Sequence, residues 1–213
     1  MQHRMGAMNE PINFDVYHPR PLLIVISGPS GAGKDAVLKE MQNRKLPFHF
    51  VVTVTDRDMR PGEVNGVDYF FVSTQEFKDL ISSKALIEYA LVYGQFKGIP
   101  KAQVDEALAS GKDVVLRIDV QGAAKVRELY PHCVLIFLVP DDYHKWYQRL
   151  LARKTETAES LELRVKTARE EMNRLDEFDY VVVNPHEHLA DAVDRIESII
   201  DAEHHKVHSR AGH

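Results

Sequence analysis

Short apolar runs alternate with stretches of helical periodicity along much of the chain. The apolar runs are 22–26, 114–118, 134–139 and 180–183. Runs of this length with few polar interruptions are typical of strands buried on both faces of a sheet. Apolar positions recur with helical spacing at 123–129, 143–151, 161–175 and 189–202. This alternation predicts an α/β fold, with a mostly parallel sheet and helices on both of its faces.

Residues 53–100 interrupt the alternation. Strand-like pieces at 69–72 and 86–92 lie around a helix that opens with a capping box formed by Ser73 and Glu76. We therefore predict a small lobe inserted into the main domain. The predicted divisions are a flexible leader at 1–21, a domain at 22–207 with its core at 22–52 and 101–207, and a tail at 208–213.

Composition narrows the class of protein. A chain of 213 residues with 44% hydrophobic residues can bury a substantial core, and no apolar run approaches the length of a membrane span. The net charge of -5 argues against general binding to nucleic acid. The single cysteine, Cys133, favours a reducing compartment, and we expect it to be buried because it opens an apolar run. The first twenty residues lack the apolar core of a secretory signal, and Glu10 and Asp15 argue against a transit peptide.

A glycine-rich turn joins the first apolar run to a predicted helix. Residues 28–35 read GPSGAGKD, and the order strand, glycine-rich turn, lysine and helix is typical of a phosphate-binding P-loop. Glycines let backbone N–H groups point inward, the helix N-terminus adds partial positive charge, and Lys34 adds a full charge. The alternative is a turn that binds nothing. The predicted nucleotide-phosphate residues are Gly28, Pro29, Ser30, Gly31, Ala32, Gly33, Lys34, Asp35 and Ala36.

Two further groups of basic residues could serve phosphates. Arg57 and Arg60 stand three apart in a segment rich in turn residues, where two guanidinium groups could fork around a second phosphate. Arg149 and Arg153 are four apart, so they share one face of a predicted helix. Taken by themselves, both groups are better explained as charges exposed to solvent.

The segment 60–73, RPGEVNGVDYFFVS, closely resembles guanylate kinase, as do IDVQG at 118–122 and the P-loop. The resemblance extends from Leu22 to about Ala202. It implies the fold of P-loop nucleoside monophosphate kinases, in which a parallel core binds ATP, the lobe at 53–100 binds GMP, and a helical lid at about 149–165 closes over both. The implied reaction transfers phosphate from ATP to GMP or dGMP, giving ADP and GDP or dGDP, with Mg²⁺ as the cofactor.

The resemblance also implies roles for single residues. Lys34 and the arginines Arg149, Arg153 and Arg164 are implied to be catalytic. The implied GMP-binding residues include Thr53, Arg57, Arg60, Tyr69, Glu88 and Asp119. Guanine presents donors at N1 and at its 2-amino group, which the carboxylate of Glu88 can accept, whereas adenine presents an acceptor at N1. Without the resemblance, Glu88 would be read as an ordinary exposed glutamate.

Three positions near the two sites depart from the family's usual pattern. Asp35 stands where a hydroxyl normally touches magnesium, and because a carboxylate is a hard oxygen ligand, Asp35 is a candidate magnesium contact. Lys97 and Ile99 stand where Tyr and Ser or Thr are usual. We expect Lys97 to bind GMP by reaching its phosphate, whereas the side chain of Ile99 cannot hydrogen-bond guanine.

Arg117 is a fourth departure, because an acidic residue is common at this position in the family. On a buried strand its charge requires a partner, and we predict Asp119 or Glu88. Together the departures resemble plastid and mitochondrial guanylate kinases and their relatives in some phototrophic bacteria. The departures therefore favour an active variant enzyme over one that has lost its activity. For the compartment, we expect the cytoplasm, with a mature plastid or mitochondrial form as the alternative.

Two other functions stay open on the sequence alone. Some scaffold proteins carry guanylate kinase-like domains that bind peptides without catalysis, although those domains typically lose the P-loop and lid residues that stand here. A kinase of altered base specificity is the other alternative, suggested by Ile99 and Arg117. His204 and His208 have a spacing suited to a metal, but without a third ligand we expect a solvated helix end. Oligomeric state is not predictable from these patterns.

Overall fold

Strands and helices alternate through most of the chain. The computed structural model describes residues 14–92, 94–152 and 158–207. The strands are β1 Leu23–Ser27, β2 His49–Phe50, β3 Val54–Thr55, β4 Phe70–Phe71, β5 Leu86–Val92, β6 Gln95–Pro100, β7 Val114–Arg117, β8 Val134–Pro140 and β9 Tyr180–Asn184. The helices are α1 Lys34–Asn43, α2 Thr74–Ser82, α3 Lys101–Ala109, α4 Val120–Leu129, α5 Tyr143–Leu151, α6 Ala158–Met172 and α7 Leu189–His204.

The larger sheet has five strands in the order β2-β7-β1-β8-β9, and every neighbouring pair runs parallel. All residues of the central strand β1 are buried, as expected where helices cover both faces. Ile24 and Ile26 of β1 share one core cluster with α1 and α7. Leu23 and Val25 share a second cluster with α3 and α4. The predicted α/β architecture is therefore confirmed.

The lobe at 53–100 contains a second, mixed sheet in the order β4-β3-β6-β5. β3 pairs in parallel with β4, whereas the pairs β3–β6 and β5–β6 are antiparallel. The predicted capping box is present, because the Ser73 side chain accepts from the Glu76 N–H and the Glu76 carboxylate accepts from the Ser73 N–H. Buried Phe77 of α2 stacks on Phe96 of β6 with ring centroids 5.1 Å apart. These contacts fix α2 on the lobe's sheet.

Two local expectations had different outcomes. Cys133 is buried, as predicted. His204 is not solvated, because α7 brings its Nε2 to 2.8 Å from Oδ2 of Asp113 and leaves the side chain only 18% exposed; the prediction for His204 was wrong. His208 lies outside the described residues. Among the described helices, none combines the length and the apolar character that a membrane span requires.

Candidate active site

The predicted P-loop forms a tight turn between β1 and α1. Gly28, Gly31 and Gly33 have φ of +130°, +83° and +98°, which L side chains rarely adopt. A Cβ added to Gly28 would lie 2.1 Å from the backbone oxygen of Leu138 on β8. Both the φ angle and the close approach therefore require glycine at this position. The turn leads directly into α1, and the first N–H groups of a helix have no partner within the helix, so they are available to an anion.

Two side chains from distant elements hold this turn in place. Trp146 of α5 donates its Nε1–H to the backbone oxygen of Ser30 at 2.8 Å. Asn184, at the end of β9, donates from Nδ2 to the backbone oxygen of Ala32, also at 2.8 Å. We did not predict either residue. A polar Asn closing an otherwise apolar strand, as in YVVVN, was the one available signal.

Lys34 lies where a P-loop lysine is expected. Its ammonium donates to the backbone oxygens of Gly28 and of Pro29, the latter at 3.1 Å. Burial lowers the pKa of Lys34, while the carboxylates of Glu171 and Asp35 act in the opposite direction. The ammonium thus rests on carbonyls of the turn, next to where the turn's amides would hold phosphate oxygens.

One cavity of about 310 Å³ gathers residues from the turn, the lobe and the C-terminal helices. The predicted site residues that line it are Ser30, Gly31, Gly33, Lys34, Asp35, Ala36, Thr53, Arg57, Arg60, Tyr69, Glu88, Lys97, Asp119, Arg149 and Arg164. Gly28, Pro29 and Ala32 belong to the turn without lining the cavity. Arg153 lies outside the described residues. The roles predicted for all of these residues in binding and catalysis stay predictions.

The lobe presents two arginines in different settings. Arg57 is 7% exposed, and its guanidinium forms a fork with the Glu63 carboxylate at 2.7 and 2.5 Å. It also lies over the rings of Tyr69 and Phe71, 4.7 and 5.2 Å from their centroids. Arg60 is exposed at the cavity. Arg57 is therefore pre-ordered by its partners, whereas Arg60 faces the open side.

Glu88 on β5 is 4% exposed, which excludes its reading as an ordinary surface glutamate. Burial raises the pKa of Glu88 to about 7, aided by the negative charge of Asp119 and opposed by Lys125. The Lys125 ammonium lies 3.4 Å from Oε1 of Glu88. A Cβ at Gly122 would lie 2.9 Å from Oε2, so the glycine leaves room for the carboxylate. Ile99 also lines the cavity and is buried.

Lys97 and Glu171 place opposite charges in the same cavity. Burial lowers the pKa of Lys97 to about 8, with Asp119 opposing and Lys34 reinforcing the shift. Burial raises the pKa of Glu171 to about 7, with Lys34 opposing and Asp119 reinforcing the shift. Oε2 of Glu171 is buried and has no hydrogen-bond partner within the described part of the chain. We did not predict Glu171, because it lies in a helix with several other glutamates.

The C-terminal helices bring two more arginines to the cavity. Arg164 of α6 donates from Nη1 to the hydroxyl of Ser30 at 2.9 Å. Arg149 of α5 buries its Nε and Nη2, and across residues 14–92, 94–152 and 158–207 neither atom has a hydrogen-bond partner. A buried N–H without a partner carries a free-energy cost that an anionic ligand would remove. Arg149 is therefore suited to a phosphate.

The predicted partners of Arg117 were wrong. Nη1 of Arg117 lies 2.6 Å from Oδ1 of Asp35, and Nη2 donates to the backbone oxygen of Asp68 at 2.9 Å. The guanidinium also lies over the ring of Tyr69, 4.5 Å from its centroid. The reason is the sheet order. Arg117 ends β7 opposite Ile26 of β1, which places it beside the first turn of α1.

Known proteins are similar to this chain in sequence and in fold. A family model described as guanylate kinase matches residues 20–203. Guanylate kinase 2 of Oryza sativa, named chloroplastic/mitochondrial, is 54% identical over 193 residues, which cover 90% of this chain and 68% of the relative. The guanylate kinase of Lactobacillus acidophilus is 48% identical over 184 residues, which cover 86% of this chain and 89% of the relative.

A solved structure of a guanylate kinase also matches this chain. The crystal structure of guanylate kinase from Anaplasma phagocytophilum matches with a TM-score of 0.74 at 32% identity, and the match covers 89% of each chain. The family match runs through the P-loop, the inserted lobe and the C-terminal helices alike. The chain belongs to the guanylate kinase family.

Proposed function

We propose that this chain is a guanylate kinase, which transfers the γ-phosphoryl group of ATP to GMP and yields ADP and GDP. One observation carries the proposal: a single cavity joins a P-loop to a buried carboxylate suited to guanine, with arginines beside the turn. Relatives named guanylate kinase, which are 42–54% identical over most of this chain, support the same activity.

The donor side of the cavity is built for the phosphates of ATP. Backbone N–H groups of the turn at 28–36, to which Pro29 contributes none, and the N-terminus of α1 attract anionic oxygens, and Lys34 adds a full positive charge. Arg164 already contacts Ser30 of the turn. Arg149 has buried N–H groups that phosphate oxygens would satisfy.

The acceptor side is built for GMP. Glu88 accepts from the N1 and 2-amino donors of guanine, and a buried polar mismatch with adenine gives discrimination of about 10⁴-fold. The other predicted contacts, which serve the GMP phosphate and the lobe, are Thr53, Arg57, Arg60, Tyr69, Lys97 and Asp119. dGMP fits the same proposal, because none of these roles involves the 2′-hydroxyl that GMP has and dGMP lacks.

The reaction needs stabilisation of charge more than a catalytic base. A GMP phosphate oxygen forms the new bond to the γ-phosphorus of ATP, the bond to the β–γ bridging oxygen breaks, and its electron pair leaves with ADP. The transferring group spreads negative charge over its oxygens. Lys34, Arg149, Arg164 and, as implied by the family resemblance, Arg153 supply the positive charge.

Magnesium fits the donor set on this side of the cavity. Mg²⁺ prefers hard oxygen ligands and is often held by one or two carboxylates together with substrate phosphates. The Asp35 side chain is 63% exposed and its carboxylate lines the cavity, so Asp35 would hold the ion with ATP. Within the described residues no group of three or more His, Cys, Asp or Glu forms a separate metal cage. The bound ion supplies neutralisation of phosphate charge.

A peptide-binding module without catalysis is not favoured, since such a module does not need a lysine and arginines gathered at a phosphate turn. Altered base specificity has one observation in its favour, the buried Ile99 at the cavity. For the compartment, we retain the cytoplasm, with the organelle form that the rice relative's name supports as the alternative.

A coupled assay of ADP formation with and without GMP tests the proposed activity. We expect ADP formation that depends on GMP and on Mg²⁺. Absence of GMP-dependent turnover would reject the enzyme. Values of kcat/KM for GMP, dGMP, AMP and UMP then measure the base preference, and equal values for AMP and GMP would reject Glu88 as the discriminating group.

A further inference from the structure

Arg117 connects three parts of the molecule that have different predicted tasks. Nη1 is 2.6 Å from Asp35 Oδ1 in the first turn of α1, on the ATP side. Nη2 donates to the backbone oxygen of Asp68 in the lobe. The guanidinium carbon lies over the ring of Tyr69, which lines the side of the cavity proposed to bind GMP. The Arg117 side chain is only 12% exposed.

These contacts use the shape of the guanidinium as well as its charge. Its two terminal nitrogens bond to different segments, and its central carbon lies over an aromatic ring. An ammonium is a point charge and cannot reproduce that combination. The Asp68 carbonyl is itself held in a turn, because the Asp68 carboxylate accepts from the Val64 N–H at 2.8 Å.

Two arginines contact the ring of Tyr69. Arg57, held by Glu63, lies 4.7 Å from the Tyr69 ring centroid, and Arg117, held by Asp35, lies 4.5 Å from it. Each arginine is oriented by its own carboxylate. The Asp35 carboxylate therefore helps to orient a ring at the GMP side, although Asp35 belongs to the phosphate turn.

We propose that Arg117 is a positioning residue that couples the phosphate turn to the GMP lobe, so that Asp35 on the ATP side strengthens the binding of GMP. The proposal rests on the proposed function, since it assigns GMP to the lobe. The physical basis of the coupling is that Asp35 holds the side chains of Arg117 and Tyr69 in place before GMP binds. Without Asp35, Arg117 loses the ion pair that holds Nη1, and the binding of GMP must then bear the cost of ordering Arg117 and Tyr69.

The direction in which GMP affinity changes when Asp35 is neutralised distinguishes coupling through Arg117 from simple electrostatics. Asp35 lines the same cavity as the GMP-binding residues, so its negative charge repels a phosphate. By Coulomb's law alone, neutralising Asp35 would tighten the binding of GMP. Coupling through Arg117 predicts that the same change weakens it.

The experiment is a double-mutant cycle on GMP binding to the full chain, measured by calorimetry without ATP or magnesium. The variants are Asp35→Asn, Arg117→Gln and the double variant. Glu106→Gln is the matched control, because Glu106 is exposed on α3, does not line the cavity and carries the same charge as Asp35. Circular dichroism and melting temperature confirm that each variant is folded.

We expect Asp35→Asn to raise the Kd for GMP about 5-fold and Arg117→Gln about 10-fold, within the range for directly coupled neighbours. We expect the double variant to match Arg117→Gln rather than to show the product of the two effects. The control leaves Kd within about twofold, as usual for exposed substitutions. Arg117→Lys keeps the charge but does not restore affinity.

Four results would overturn the coupling: tighter or unchanged binding in Asp35→Asn, additive effects in the double variant, an equal loss in Glu106→Gln, or full affinity in Arg117→Lys. The failure of the proposed function looks different. In that case the unmodified chain itself binds no GMP, whereas a failed coupling leaves its GMP binding intact.

Discussion

The turn at 28–36 and the part of the lobe that is proposed to bind GMP present positive charge by different means. The turn relies on its backbone, because three glycines with positive φ shape the loop, a conformation that lets backbone N–H groups converge on an anion. The wall of the cavity around the lobe relies on side chains that are ordered by other side chains, as with Arg57 of the lobe on Glu63 and Arg117 of β7 on Asp35. The backbone of the turn leaves no room for an added side-chain atom at Gly28. The side-chain arrangement depends on arginine–carboxylate pairs, so it is sensitive to the loss of either partner.

The largest expected effect removes the one side-chain charge on which the turn depends. Lys34→Ala should lower kcat by about 10³-fold or more, because it removes the positive charge that lies within the turn, while the arginines of the C-terminal helices supply charge from other positions. The fold should persist, as judged by circular dichroism, and the rate is measured by ADP formation. Lys39→Ala, on the exposed side of α1, is the control and should be near normal. Comparable turnover in Lys34→Ala would contradict the assignment of the P-loop lysine.

The next effect tests the claim that the turn tolerates no added atoms. Gly28→Ala forces a residue with a Cβ into φ +130° and against the Leu138 backbone oxygen. We expect the free energy of unfolding to fall by about 3 kcal/mol or more, measured by urea titration. Gly111→Ala is the matched control. It has φ +78° and nothing within 4 Å, so it should lose about 1 kcal/mol. Equal losses at both glycines would show that the contact with Leu138 does not matter.

The third effect tests recognition by a side chain in the lobe. Glu88→Gln replaces one acceptor oxygen by an NH₂ donor, which faces the donors of guanine. We expect kcat/KM for GMP to fall by about 10²-fold, while kcat/KM for AMP changes far less. Glu128→Gln, exposed on α4, is the control. A parallel fall for both nucleotides would mean that Glu88 supports the pocket without reading the base.

The smallest effect is a dependence of kcat/KM on pH, which we expect to arise more from residues proposed to bind GMP than from the turn. The pKa of Glu88 is raised to about 7, so its carboxylate loses charge as the pH falls below 7 and GMP binds less well. The pKa of Lys97 is lowered to about 8, so its ammonium loses charge as the pH rises above 8, which also weakens GMP. We expect a bell-shaped kcat/KM for GMP, with limbs that approach tenfold per pH unit.

Two variants identify the groups behind the limbs of that profile. Lys97→Arg stays protonated and should remove the alkaline limb. Loss of the acidic limb in Glu88→Gln would assign it to Glu88 rather than to Glu171, whose pKa is also raised to about 7. A flat profile between pH 6 and 9 would contradict the placement of both groups at the GMP phosphate and base.

The same contrast explains how much the sequence could predict. The P-loop is local, since strand, turn and helix follow one another within 22–43, and the structure confirms all three. The strands β2 and β3 escaped prediction because two residues are too few for a pattern. β6 escaped because Gly98 and Pro100 make it atypical of a strand.

The site's side-chain partners could not be predicted, because they depend on packing between distant segments. Asp35 and Arg117 are 82 residues apart, and Asn184 reaches Ala32 across 152 residues. Only the sheet order, which places β7 and β8 on either side of β1, brings such residues together. Glu171 was missed for the same reason, since nothing in its local sequence separates it from the other glutamates of α6.

The bond between Trp146 and the Ser30 backbone has a practical consequence. Trp146 is the single tryptophan of the chain, and its indole touches the loop that is proposed to enclose the phosphates of ATP. The protein thus carries a built-in fluorescent reporter at its donor site. Its emission can follow nucleotide entry in stopped-flow experiments without an attached dye, and no second indole contributes background.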